Sequence, residues 1–155
     1  VRKKRAGTRI RIPDPRYNDV LVSEFINNIM EGGQKHKARR ILYDAFGIIE
    51  DRTKLNGIDV FKKAMSNARP MLEVKARRVG GATYQVPTEV RSGRSIALAI
   101  RWLISYASAR KERSMAQKLA SEFIAASTGE GSAIKKKEDT HKMAEANKAF
   151  AHFKW

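Results

Sequence analysis

Leu72-Glu73-Val74-Lys75-Ala76-Arg77-Arg78-Val79-Gly80-Gly81-Ala82-Thr83-Tyr84-Gln85-Val86-Pro87 is the stretch that breaks the pattern of the chain. From Leu72 to Arg77 apolar and charged residues alternate, which is the period of a strand and not of a helix. Thr83, Tyr84, Gln85 and Val86 favour strand beyond the glycines. Two such runs around a glycine-containing turn predict a β-hairpin over about 71–90. Pro87 marks it as an edge structure with no third strand to pair, because proline has no N–H to give a ladder.

On either side of this stretch the apolar residues recur at helical spacing. Leu21, Val22, Phe25, Ile26 and Ile29 line one face of a helix over Val20–Glu31, with Asn18 or Asp19 as its cap and Gly32-Gly33 as its stop. Ala38, Ile41, Leu42, Ala45 and Ile49 place a second helix over Lys35–Asp51. Val60, Phe61, Ala64, Met65 and Ala68 place a third over Asp59–Ala68, stopped by Pro70. After the hairpin, Ser95–Ala109 is apolar nearly all round, which predicts a central, buried helix. Ser114 with Gln117 forms a capping box for a fifth, with Met115, Leu119, Phe123 and Ile124 inward. A glycine-containing linker over Thr128–Ser132 leads to a last helix running through Met143, Asn147 and Phe150. The fold class is therefore mainly α: a six-helix domain with one protruding β-hairpin and a basic N-terminal arm. Residues 1–16 read as the extended arm and 17–155 as a single helical domain.

The charge points to a polyanion. Thirty-two Lys and Arg against 16 Asp and Glu give a net charge of +16, with a pI near 10.4. Self-repulsion on that scale opposes folding unless an anionic partner neutralises it, and nucleic acid is the commonest such partner. An anionic membrane surface competes as an explanation. However, no run approaches a membrane span, and the N-terminus lacks the apolar core of a secretory signal. Cysteine is absent, which removes disulfides, thiolate metal sites and cysteine nucleophiles.

The excess is concentrated. Arg2, Lys3, Lys4, Arg5, Arg9 and Arg11 crowd the first eleven residues with no acid among them. Such a segment buries no core and orders on a polyanion, or else it is a merely solvated terminus. Pro13 and Pro15 then hold an extended path. Lys35 and Lys37, with Arg39 and Arg40, load the start of the second helix with cations, against its dipole. An external anion would relieve that, although a solvated face explains it nearly as well.

At the hairpin, Lys75, Arg77 and Arg78 approach the Gly80-Gly81 turn. Glycine lets a backbone come close to a partner, and arginine contacts phosphate bidentately. Tyr84 offers a face on which a base or sugar can stack. Arg91 and Arg94 extend the basic surface to the start of the next helix, where the helix dipole also favours an anion. The competing reading makes the hairpin a lid on the core, held by Leu72, Val74 and Val86. Three basic elements scattered along the chain suit a folded RNA better than the groove of duplex DNA, which remains the runner-up.

Nothing in the chain is arranged for chemistry. His36, His141 and His152 lack metal-ligand spacing and read as surface or RNA-facing. Gly129-Glu130-Gly131 followed by Lys135 is a helix stop and linker, not a phosphate loop, because no strand precedes it and the Gly-Lys-Ser/Thr ending is missing. Glu138-Asp139 complements the dipole of the last helix. No enzyme activity, cofactor or metal is expected.

Arg77 to Pro87, Phe25 to Tyr43, and Lys135 to Asp139 continuing from Met143 to His152 resemble the bacterial form of the small-subunit ribosomal protein seven family. The likeness covers nearly the whole chain, and the hairpin motif is specific to the family. It implies a cytoplasmic protein of the small ribosomal subunit that binds the 3′ major domain of 16S rRNA and nucleates assembly of the head. It also implies a place at the subunit interface, near the exit-site tRNA, the mRNA exit and the neighbouring small-subunit protein eleven. No membrane and no homo-oligomer are expected. The arm from Arg2 to Arg11 matches the family's rRNA-binding tail. Lys75, Arg77, Arg78, Val79, Gly80 and Gly81 match the ribbon that reaches rRNA and the exit-site tRNA. Lys135, Lys136 and Lys137, with Lys148 and His152 at the end of the last helix, match the region facing the tRNA and mRNA path. Two departures thin single contacts: Gln34 replaces a usual lysine, and Arg91-Ser92-Gly93-Arg94 is less basic than the family's run.

Overall fold

Helix begins where the prolines end. In the computed structural model, which describes Gly7 and residues 10–153, α1 spans Val20–Ile29. Asp19 is its cap, accepting the Leu21 N–H at 2.7 Å. The helix stops at Met30, ahead of the expected glycines. Gly32 and Gly33, with φ of 56° and 76°, instead carry the turn into α2, Lys35–Thr53. α3 spans Gly57–Ala68, two residues longer at its start than the periodicity predicts, because Asn56 supplies a cap through its side chain. Only glycine fits at position 57, where a Cβ would lie 2.7 Å from the Phe46 carbonyl oxygen.

The hairpin forms as read. β1, Leu72–Val79, pairs antiparallel with β2, Ala82–Glu89, and Val74 stands opposite Pro87. Gly80 and Gly81 close the turn with φ of 57° and 89°. Positive φ at both central residues matches the right-handed twist of the strands.

α4 spans Ser92–Ser108 and corrects the expectation of a helix buried all round. Ser95, Leu98, Ala99, Ile100, Leu103 and Ala107 are buried, but Arg101 and Ser105 face out. Ile96, Trp102, Ile104 and Tyr106 sit half-buried on the flanks. The central helix is α5, Met115–Ser127, which packs against α2, α3, α4 and α6. Its small Ala116, Ala120 and Ala126 let neighbours come close, and Leu119 and Phe123 fill the space between. The capping box of Ser114 and Gln117 is present. α6, Ser132–Ala146, is shorter than expected. The chain leaves it at Asn147 and closes with a 3-10 turn, Lys148–Phe153, packed on β2.

Phe25, Phe46, Phe61 and Phe123 form the heart of the core, all fully buried. Phe25, Phe61 and Phe123 meet pairwise at 5.3 Å between ring centres, largely edge to face. That geometry adds roughly 0.5–1.5 kcal/mol per pair beyond the area buried. The α1, α2, α3 and α5 contacts are thereby welded into one body on which the ribbon is mounted.

Candidate nucleic-acid interface

The ribbon is two things along its length. At the outer end Lys75, Ala76, Arg77 and Arg78 are exposed, as are Gly80 to Thr83. Arg77 stands opposite Tyr84 and Arg78 opposite Thr83, so the two guanidiniums point to opposite faces of the ribbon. Neither has an acidic partner within ion-pair distance among the described residues. A Cβ added at Gly80 or Gly81 would meet nothing within 4 Å, so the backbone at the turn is open to close approach.

The root of the ribbon is stitched to the body. Val86 is buried, and Glu73 is only 8% exposed. The Glu73 carboxylate takes Arg94 of α4 at 3.3 Å and Lys75 at 3.2 Å. Ser95 donates its hydroxyl to the Pro70 carbonyl at 2.8 Å. His141 of α6 accepts the Met71 N–H at 3.0 Å. Burial, and then the charge of Lys137, hold the His141 ring below its ordinary pKa and so keep it neutral enough to accept. This corrects the surface or RNA-facing reading of His141. The lid reading applies to this half of the ribbon alone.

Tyr84 has Phe150 of the closing turn against its ring, 5.2 Å between centres. The sequence reading offered that ring to a base; in the fold it also fastens the C-terminal turn to β2. Arg91 precedes α4 without a side-chain cap bond and is exposed, and no acid occupies the first turn of that helix. It carries the basic surface from the ribbon to the body.

Arg11, Lys35 and the start of α4 come together around an open trough of about 570 Å³. Ser23, Asn27, Asn28, Gly93 and Ala97 line it. Arg11 also reaches Glu24 as an ion pair. Lys35 and Lys37 are exposed at the start of α2, which has no side-chain cap bond and no acid in its first turn. Arg39 is partly neutralised by Asp14, at 3.7 Å.

Asp14 was not singled out from sequence. It is 2% exposed and accepts the N–H groups of Arg16 and Tyr17 at 3.1 and 3.3 Å and the Tyr43 hydroxyl at 2.7 Å. Burial and this carboxylate push Tyr43 up to about 12. Asp14 fixes where the chain leaves the body towards the arm. Arg2, Lys3, Lys4, Arg5 and Arg9 lie outside the described residues.

The lysines of α6 divide. Lys135 is exposed and Lys136 half-exposed. Lys137 turns inward and donates to the Asn67 carbonyl at 2.7 Å, so it serves packing of α6 on α3. Lys148 and His152 are exposed at the other end, and Lys148 borders a groove with Leu72, Pro87 and His141 at the ribbon root. Lys135 and Lys148 are thus separated by nearly the whole of α6, about 20 Å at roughly 1.5 Å per residue. Among the described residues no cluster of three His, Cys, Asp or Glu could hold a metal, and no helix is long and apolar enough to cross a membrane.

The family model described as ribosomal protein S7p/S5e matches residues 1–148. The chain is 62% identical over 144 residues to the small ribosomal subunit protein uS7 of Salinibacter ruber, covering 92% of each chain. It is 58% identical over 154 residues to that of Gemmatimonas aurantiaca, and 55% identical over 154 residues to that of Sorangium cellulosum, covering 99% of each chain in both cases.

Proposed function

We infer the function of this chain from one premise: it belongs to the ribosomal protein S7p/S5e family. It is a structural, non-enzymatic constituent of the small ribosomal subunit, which is cytoplasmic in bacteria, and it acts by binding RNA. Within that role it binds the 3′ major domain of 16S rRNA early and nucleates the head. The body supplies the platform from Asp14 onward, and the basic stretch ahead of it, from Arg2 to Arg11, follows the RNA backbone. The ribbon tip reaches rRNA and the exit-site tRNA through Arg77, Arg78, Val79, Gly80 and Gly81. Arg11 and Lys35 form a second contact at the trough, and the exposed Lys37 and Arg91 add further contacts. Lys135, Lys136, Lys148 and His152 border the tRNA and mRNA path, with small-subunit protein eleven as a neighbour.

One observation carries this reading: two exposed arginines, without acidic partners among the described residues, lead into an open diglycine turn on a ribbon whose root is buried. A lid on the core would bury its tip. Each phosphate contact to RNA contributes about 0.7–0.9 to the slope of log affinity against log salt. Arg77→Ala with Arg78→Ala should therefore lower that slope by about 1.5 for the 3′ domain of small-subunit rRNA, with helical circular dichroism unchanged. An unchanged slope, or duplex DNA competing as well as the rRNA, would overturn the reading. Loss of helicity would favour the lid.

A further inference from the structure

Glu73 is an acid in the wrong place for a phosphate-binding strand. It begins the alternation that continues through Lys75 and Arg77. Its side chain is about nine-tenths buried, whereas those of Lys75 and Arg94 are each about half exposed. A carboxylate so far from water is stable only when its oxygens are matched. They are matched separately: one takes the Lys75 ammonium at 3.2 Å, and the other takes the Arg94 Nε and a terminal guanidinium nitrogen at 3.4 and 3.3 Å. Those are the contacts that a phosphate group would make with the same two cations. Glu73 is held by its place in β1, opposite Thr88, and cannot swing away without breaking the root of the ribbon.

We propose that Glu73 is a specificity-determining residue for RNA binding, a resident anion that withholds Lys75 and Arg94 from indiscriminate phosphate and fixes the angle of the ribbon on α4. The proposal rests on the reading of the ribbon as an RNA grip. Its content is a division of labour. Arg77 and Arg78 carry the free charge and meet the RNA. Lys75 and Arg94 are spent internally, so the tip is presented at one angle and only an RNA shaped to receive it is bound tightly. An unpaired Arg94 and Lys75 would add two mobile cations at the junction of ribbon and body, and these would bind any single strand.

The test compares full-length variants against two probes, the 3′ domain of small-subunit rRNA and poly(U), across a salt series. Glu73→Gln keeps the shape and removes the charge. It should bind poly(U) several-fold tighter at low salt, with a slope steeper by about 0.7 per released cation, and its preference for the rRNA should fall. Adding Lys75→Gln or Arg94→Gln to Glu73→Gln should take that gain back. In the otherwise unchanged protein, Lys75→Gln or Arg94→Gln should lower the poly(U) slope by less than half of what Arg77→Gln does, and this pair of measurements decides the matter should Glu73→Gln fail to fold. A folded Glu73→Gln with the original slope, or Arg94→Gln and Lys75→Gln each losing as much as Arg77→Gln, would overturn the proposal. Arg77→Gln with an unchanged slope would overturn the ribbon reading itself.

Discussion

Glu122 of α5 is fully buried, and two bonds make that tolerable. Arg110, just beyond α4, donates to it at 2.7 Å, and the Ala133 N–H in the first turn of α6 donates at 3.1 Å. One carboxylate thus ties the middle of α5 to the end of α4 and the start of α6. It also supplies the negative charge that the start of α6 lacks from its own residues. Removing one partner of a buried ion pair costs about 3–5 kcal/mol. Glu122→Ala is expected near the lower figure, because Arg110 keeps Glu112 at 3.7 Å. Glu122→Gln retains an acceptor for Ala133 and should cost about 1.5 kcal/mol, the value of a charge-assisted hydrogen bond. Urea unfolding measures both, and equal costs would contradict the charge-based account. Residues of this kind were not legible in the sequence. Glu122 looks like one more helical acid, Glu73 like the polar half of an alternation, and Asp14 like a turn residue between prolines. Their partners lie 12, 21 and 29 positions away. Pairing over such separations is set by tertiary contact, which no local pattern encodes. The exposure of Arg77, Arg78, Lys35 and Arg91 was legible, because a local run of cations is kept in solvent whatever the tertiary fold.

At the scale of elements, the hairpin and the capping box of α5 follow from local rules, and they form where those rules put them. The rank of the helices does not follow. α4 carries the larger apolar residues and was expected at the centre, yet α5 with its alanines sits there. Volume explains this: a helix surrounded by four others needs small residues where they approach it, whereas Trp102 and Tyr106 fit a boundary. The end of α6 also escaped local reading, because Phe150 is drawn to Tyr84 of the ribbon. The ribbon's attachment to α6 carries a pH dependence. His141 accepts the Met71 N–H, which requires a ring nitrogen without its proton. Its folded pKa lies below the ordinary 6.5. The anchor is therefore fully present above about 6.5 and is lost as pH falls through the lower folded value. Lys137, Lys148, Glu89 and Glu145 are the charged groups around it. The Met71 amide protection factor should fall as the pH is lowered from about 7 to about 5, and His141→Gln should show no such fall. A flat profile in the unchanged protein would remove His141 as the anchor.

For the molecule as a whole, net charge and fold divide the work. The helical body is held by an aromatic core, and the chain carries a net charge of +16. The charge is not uniformly available. Of the 32 cations, Lys75 and Arg94 are matched by Glu73, Arg39 by Asp14, Arg11 by Glu24 and Arg40 by Asp44. Exposed cations without an acid within ion-pair distance among the described residues include Arg77 and Arg78 at the ribbon tip, Lys35 beside the trough and Lys135 on α6. Ultraviolet crosslinking of the protein in assembled small subunits, with the attached nucleotides located by mass spectrometry, tests this arrangement most directly. Crosslinks to RNA are expected on the peptide containing Arg77 to Gly81. Heavy crosslinking elsewhere on the chain, with that peptide recovered unmodified, would contradict the claim that the ribbon tip is an RNA grip.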